Sequence, residues 1–140
     1  WSGEYPLKQQ FENDINNEHL WLAIENDDIL AVIALTTEQT DDYKRIGCNT
    51  NLPSIVPHRI AVHPKAQGKG IATKLFQKAE DLSIEMGYNC VRIDTHKNNI
   101  AMLYMIEKKF NYKYIGEITL SGRGPPAELR NLYEKQIPEL

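Results

Sequence analysis

The sequence predicts an α/β domain built on a mixed, mostly antiparallel sheet with flanking helices, and three observations carry that expectation. Two apolar, β-prone runs, Leu20 to Ile24 and Ile29 to Leu35, flank a polar turn. A strand ending at His63-Pro64 passes through two glycines straight into a long amphipathic helix. Beyond that helix come a strand pattern, a helix pattern and a closing pair of strands.

Taken in order, Pro6 suits a first helical turn, and Leu7, Phe11 and Ile15 at i, i+4, i+8 make Leu7 to Asn17 a short amphipathic helix. Leu20 to Ile24 and Ile29 to Leu35 read as an antiparallel pair buried on both faces, turned by Glu25-Asn26-Asp27-Asp28. Thr36 to Pro57 is polar and reads as a long connection, either lying over a binding site or simply solvated. His58 to His63 returns to strand character, with His58, Ile60 and Val62 on one face and Arg59, Ala61 and His63 on the other.

Ile71, Leu75, Ala79, Leu82 and Met86, widened by Phe76, form a helical stripe that Gly87 stops. Cys90 to Thr95 is a strand and Ile100 to Lys109 a helix. Tyr112 to Leu120 and Glu128 to Ile137 close the chain as a hairpin around Ser121 to Pro126. Arg59 to Thr95 is then a parallel strand-helix-strand crossover of right-handed sense.

Bulk properties exclude several classes. The 140 residues are read as one domain, 1–140, large enough to bury a core without metal or disulfide staples. Hydrophobic content of 41% with 25% charged residues is ordinary for a globular chain. The longest apolar run, Ile29 to Leu35, is far below the ~20 residues of a membrane helix, and the start lacks the parts of a signal peptide. Cys48 and Cys90 lack metal or redox spacing and read as reduced thiols, so the expected location is the cytoplasm. A net charge of -3, from 16 basic and 19 acidic residues, argues against nucleic-acid binding. His19, His58, His63 and His96 show no metal-ligand spacing, and no metal is expected.

The strand-to-helix turn carries the chemistry. Gly68 and Gly70 let the backbone come close to a ligand, and the helix that follows offers unpaired amides and partial positive charge to a diphosphate. A tight turn would need the same glycines without any ligand. The pattern is neither GxxxxGK[ST] nor GxGxxG after a first strand, which disfavours nucleotide hydrolysis.

The stretch His58-Arg59-Ile60-Ala61-Val62-His63-Pro64-Lys65-Ala66-Gln67-Gly68-Lys69-Gly70-Ile71-Ala72 resembles the acetyl-coenzyme A motif of the GNAT acetyltransferases, a strand followed by [QR]-x-x-G-x-[GA]. A second stretch, Ile93 to Met102 and then Glu107 to Gly116, is similar to that family's later strand, helix and closing strand, with Asn111 where Gly is usual. The resemblance implies acetyl-coenzyme A as cosubstrate, its pantetheine arm along Ile60, Ala61 and Val62. It implies the pyrophosphate on Gln67, Gly68, Lys69, Gly70, Ile71, Ala72 and Thr73, and assigns the cofactor-contacting asparagine to Asn99, which could equally be a helix cap. It further implies that the strand and helix that usually open such a domain, ~40 residues, are absent. Leu20 to Ile24 would then be an open edge able to pair with another chain, as in a homodimer.

The implied reaction is acetyl transfer to a primary amine, of a small molecule or a protein, by direct attack in a ternary complex. The alternative is a non-catalytic coenzyme A-binding or regulatory module, and a third reading is an interaction fragment acting through its open edge. Carbonyl polarisation falls to the Val62 amide by the same resemblance, while the acid and base are less determined. The family's tyrosine, seven residues after the asparagine, meets Ile106 here, and Tyr104 stands about 140° around the helix from Asn99. Tyr104, His96 and His58 are the catalytic candidates, each with a plain packing or loop role as the alternative. Glu38, Asp41 and Asp42 could attract a cationic amine or merely solvate their loop.

Overall fold

A computed structural model describes residues 8–120 and 129–138. The elements are α1 (Lys8–Asn16), β1 (Leu20–Glu25), β2 (Asp28–Thr36), α2 (Asp41–Arg45), β3 (Val56–Val62), α3 (Ile71–Glu85), β4 (Cys90–His96), α4 (Ile100–Tyr104), β5 (Lys113–Thr119) and β6 (Leu129–Gln136). A 3-10 turn, Pro64–Ala66, precedes α3, and a π-helical turn, Met105–Lys109, extends α4. Leu7, the Ser121 to Pro126 turn and Glu128, all assigned from the sequence, lie outside the described residues.

The strands form two antiparallel sheets, β1-β2-β3 and β4-β6-β5, where the sequence suggested one mixed sheet. They meet at a single parallel bridge, Ile55 with Val91, closed by Ile55 N–H to the Cys90 carbonyl and Arg92 N–H to the Ile55 carbonyl, both 3.0 Å. Among the described residues β3 and β4 share no further ladder, because β3 changes course four residues later.

Arg59 takes φ +53° in mid-strand, the left-handed region that non-glycine residues rarely enter. The register records the resulting bulge: Val32 faces Ala61 while Ala34 faces His58, so three steps on β3 oppose two on β2. Before the bulge Ile55 belongs to the core under α3 and Val56 to a separate cluster with Tyr43, Ile118 and Leu132. After it, Ile60 and Val62 face the α3 core. The alternation is thus inverted at Arg59, and His58, expected beside Ile60 and Val62, shares the Val56 face instead.

A carboxylate secures this irregularity. Asp14 of α1 accepts both Nε and Nη2 of Arg59 at 2.6 Å, and both side chains are largely buried. The buried position on α1 is therefore Asp14, whereas Ile15, expected on the apolar stripe, is 59% exposed. The β1–β2 hairpin turns on Asn26 and Asp27, both with positive φ, as a two-residue loop of right-twisted strands requires. β1 is an outer strand and not buried on both faces: Leu22 and Ile24 are exposed, and among the described residues no strand pairs beyond it.

The main core lies between α3 and the two sheets. Leu75, Phe76 and Ala79 meet Ile33, Val91 and Ile93, and Phe76 stacks on Phe110 with ring centroids 5.1 Å apart. Met86, placed on the stripe from sequence, is exposed beyond the helix end. The expected helix Ile100 to Lys109 is α-helical only to Tyr104. Its continuation bonds Phe110 N–H to the Met105 carbonyl, and the wider turn lets Ile106 and Phe110 both reach the core. Asn111 ends it with φ +58°, the conformation anticipated for a residue at the usual glycine position.

The long connection after β2 is not merely solvated. Its helix α2 buries Tyr43, whose hydroxyl donates to Asp94 of β4, and Asp94 also accepts from Arg130 of β6. Burial, and next the Asp94 charge, push the Tyr43 hydroxyl well above the ordinary tyrosine range, so it remains a donor. Gln39 meets buried Arg92, which also binds Glu134 at 2.7 Å.

Removing Asp14 takes its paired carboxylate from a largely buried guanidinium, and breaking a buried ion pair in this way typically costs about 3–5 kcal/mol. Asp14→Ala should therefore lower the urea midpoint strongly, and Asp14→Leu with Arg59→Met should recover much of the loss. An Asp14→Ala protein as stable as wild type would show that the pair does not secure the bulge.

Candidate active site

β3 and β4 start side by side and then part, and α3 begins at the end where they have parted. His63, just beyond β3, donates its N–H to the Leu30 carbonyl at 2.7 Å, and the register continues with Val62 opposite Ala31 and Ala61 opposite Val32. Alternate residues of an antiparallel pair bond across it. Val62 is thereby the non-bonded position, its N–H and C=O turned away from β2 toward the gap before β4, while Ala61 spends its backbone groups on β2. Ile60 and Val62 anchor this segment by packing their side chains into the α3 core.

The turn into α3 is set by backbone conformation. Gly68 has φ +78° and Gly70 φ +76°, both in the region that L side chains rarely adopt. A Cβ at either position would meet no atom within 4 Å, so these glycines are required by φ and not by crowding. Gly70 is the helix N-cap and supplies no side-chain cap, and the first turn of α3 carries no acidic residue. The first helical bond runs from Lys74 N–H to the Gly70 carbonyl at 3.2 Å, which leaves the amides of Ile71, Ala72 and Thr73 without helical partners. An uncapped N-terminus without its own carboxylate suits an external anion such as a diphosphate, and Lys69 stands beside it.

The acid–base candidates are distributed differently. Asn99 caps α4, its Oδ1 accepting from Met102 N–H at 3.3 Å. The segment Ile100–Tyr104 after the Asn99 cap is ordinary α-helix and the π turn comes only afterwards, so the extra residue does not swing Tyr104 toward Asn99; Tyr104 is 61% exposed. His96 ends β4 with its Nδ1 accepting from Asn98 N–H at 3.1 Å. His63 does the same for Lys65 N–H in the turn after β3. His58 lines a cavity of about 330 Å³ bounded by α1, the end of β2 and the start of β3. Glu38 also lines it, whereas Asp42 is tied to Arg45 at 2.7 Å.

That cavity brings Asp14, Arg59, Thr36 and Thr40 to the same place, none of which sequence reasoning singled out as site residues. Asp14 looked like one more polar position on a helix, 45 residues before its partner, and no local pattern marks it.

The chain belongs to the acetyltransferase (GNAT) family, whose model matches residues 1–112. Solved structures agree with the fold. A GNAT acetyltransferase from Streptococcus agalactiae is 24% identical with a TM-score of 0.80, over 99% of this chain and 77% of that one. An N-acetyltransferase from Staphylococcus aureus Mu50 is 23% identical with a TM-score of 0.67, over 93% and 74%. A Salmonella typhimurium protein solved with its cofactor acetyl-CoA is 16% identical with a TM-score of 0.66, over 94% and 72%. No curated protein matches the sequence.

If the uncapped α3 terminus receives the cosubstrate, Gly70→Val should weaken acetyl-CoA binding about tenfold or more, since a left-handed valine costs roughly 1–2 kcal/mol and pulls the amides out of line. Gly70→Asn, which tolerates that conformation, should recover part of the affinity in isothermal titration. Equal binding by the valine variant would remove the turn from the site.

Proposed function

We propose that the protein transfers the acetyl group of acetyl-CoA to a primary amine by direct attack within a ternary complex. The observation that carries this reading is the conjunction of an outward-turned Val62 amide with an uncapped helix N-terminus at the open end of β3 and β4. In this reading Gln67 to Thr73 hold the pyrophosphate through backbone N–H groups and Lys69 adds charge at the rim. The segment Ile60 to Val62 receives the pantetheine arm, chiefly through Val62, because Ala61 is committed to β2. Asn99 uses its Oδ1 as a cap and keeps its NH2 group as a donor to the cosubstrate.

The Val62 N–H then polarises the thioester carbonyl as the amine nitrogen attacks it. The C–N bond forms, the C–S bond breaks, the amine gives up a proton and the departing thiolate gains one. Among the candidates, His58 is the base with a place to act, because it lines a cavity, on the β3 face opposite α3, of a size to hold an acceptor amine. His96 has one ring nitrogen engaged in its turn, and Tyr104 lies outward on α4.

His58→Gln should lower kcat for coenzyme A release by about a hundredfold or more, the usual contribution of a general base, with acetyl-CoA affinity unchanged. His96→Gln and Tyr104→Phe should stay near wild type. The assignment fails if His58→Gln keeps full turnover.

A further inference from the structure

We infer that the acceptor is a compact, hydroxylated primary amine of the amino alcohol or amino sugar class, held in the cavity between α1 and β3; this rests on the acetyl-transfer reading above. The cavity, at about 330 Å³, lies at the small end of ligand pockets, which run from roughly 300 to 1,000 Å³. Pockets of that kind are mostly apolar. Here every described lining residue is polar or charged.

The neutral part of the wall is made of amides, Gln10, Asn13 and Asn17, and hydroxyls, Thr36 and Thr40. Side-chain amides and hydroxyls both donate and accept, the property that matches hydroxyls on a ligand. Thr36 already donates to the Val56 carbonyl at 3.2 Å and Asn17 to the Asn13 carbonyl at 2.9 Å, which leaves the Thr36 hydroxyl as an acceptor. An aryl or alkyl amine would strip water from them and return no hydrogen bond, a loss that disfavours it.

Charge narrows the class further. The Asp14 carboxylate is neutralised by Arg59 through two 2.6 Å contacts. Glu38 carries no ion pair among the described residues, so the wall is left with one uncompensated negative charge when His19 and His58 are neutral. A single ammonium group complements that balance on arrival, and His58 can then take its proton. An amino acid would bring a carboxylate against Glu38, and a polyamine would bring several cations to a wall with one uncompensated negative charge. A peptide N-terminus brings an extended chain to a cavity of small volume.

The test is a competition among acceptors with the whole protein and acetyl-CoA. Coenzyme A release and product mass are measured for glucosamine and 2-amino-1,3-propanediol, and for phenethylamine, alanine, spermidine and a short peptide with a free N-terminus. At least one of the two hydroxylated amines should exceed every member of the second group in kcat/KM by tenfold or more. Asn13→Leu and Glu38→Gln, both at exposed positions that tolerate change, should each raise its KM about tenfold while acetyl-CoA affinity in titration stays constant. Preference for phenethylamine, alanine, spermidine or the peptide overturns the inference, as does an unchanged KM in both variants. Acetyl-CoA binding without acetylation of either hydroxylated amine overturns it too and leaves the cosubstrate site standing, whereas failure to bind acetyl-CoA removes both readings.

Discussion

The bidentate pair between Asp14 and Arg59 is the constraint on which the geometry of the site depends. It is a long-range contact between a polar helix and the middle of a strand, and it holds a residue in a backbone conformation that a strand would otherwise reject. The residues after Arg59 consequently turn their apolar side chains under α3, while those before it serve the other face. One inverted step thereby creates two surfaces on a single strand: a backbone edge beside the helix N-terminus, and a polar wall shared with α1.

A second set of buried polar contacts holds the opposite wall. Tyr43 and Gln39, from the connection after β2, reach Asp94 and Arg92 on β4, which in turn hold Arg130 and Glu134 on β6. Three segments far apart in sequence are locked by charges that need one another, because each would be costly if left alone out of water. The connection is consequently part of the frame, and Thr36 and Thr40 can belong to a preformed cavity.

Local chemistry made much of this legible. The Asn26-Asp27 turn, the α3 stripe from Ile71 to Leu82, and the glycines at 68 and 70 all follow from backbone preferences that operate within a few residues. The family resemblance rested on the same segment, and the fold it implied is the one observed. What escaped depends on distance. Strict alternation placed His58 with Ile60 because no neighbouring residue announces that Arg59 will go left-handed; the cause is a carboxylate on another element. Likewise the π turn after Tyr104 answers the need to bury Ile106 and Phe110 together, a demand set by the core and not by the helix. The separation of β3 from β4 is also a tertiary property, and no spacing in either strand records it.

The bare N-terminus of α3 has a consequence for the protein's lifetime. Ser, Thr, Asp or Asn commonly caps a helix from its own chain, whereas α3 has no side-chain cap at that position. Any ligand that occupies it only in the folded state raises folding stability by mass action, about 2.7 kcal/mol at a hundredfold excess over its dissociation constant. Resistance to proteolysis would then track the supply of that ligand, so the abundance of the protein would register the metabolic state of its surroundings before any catalytic turnover is counted.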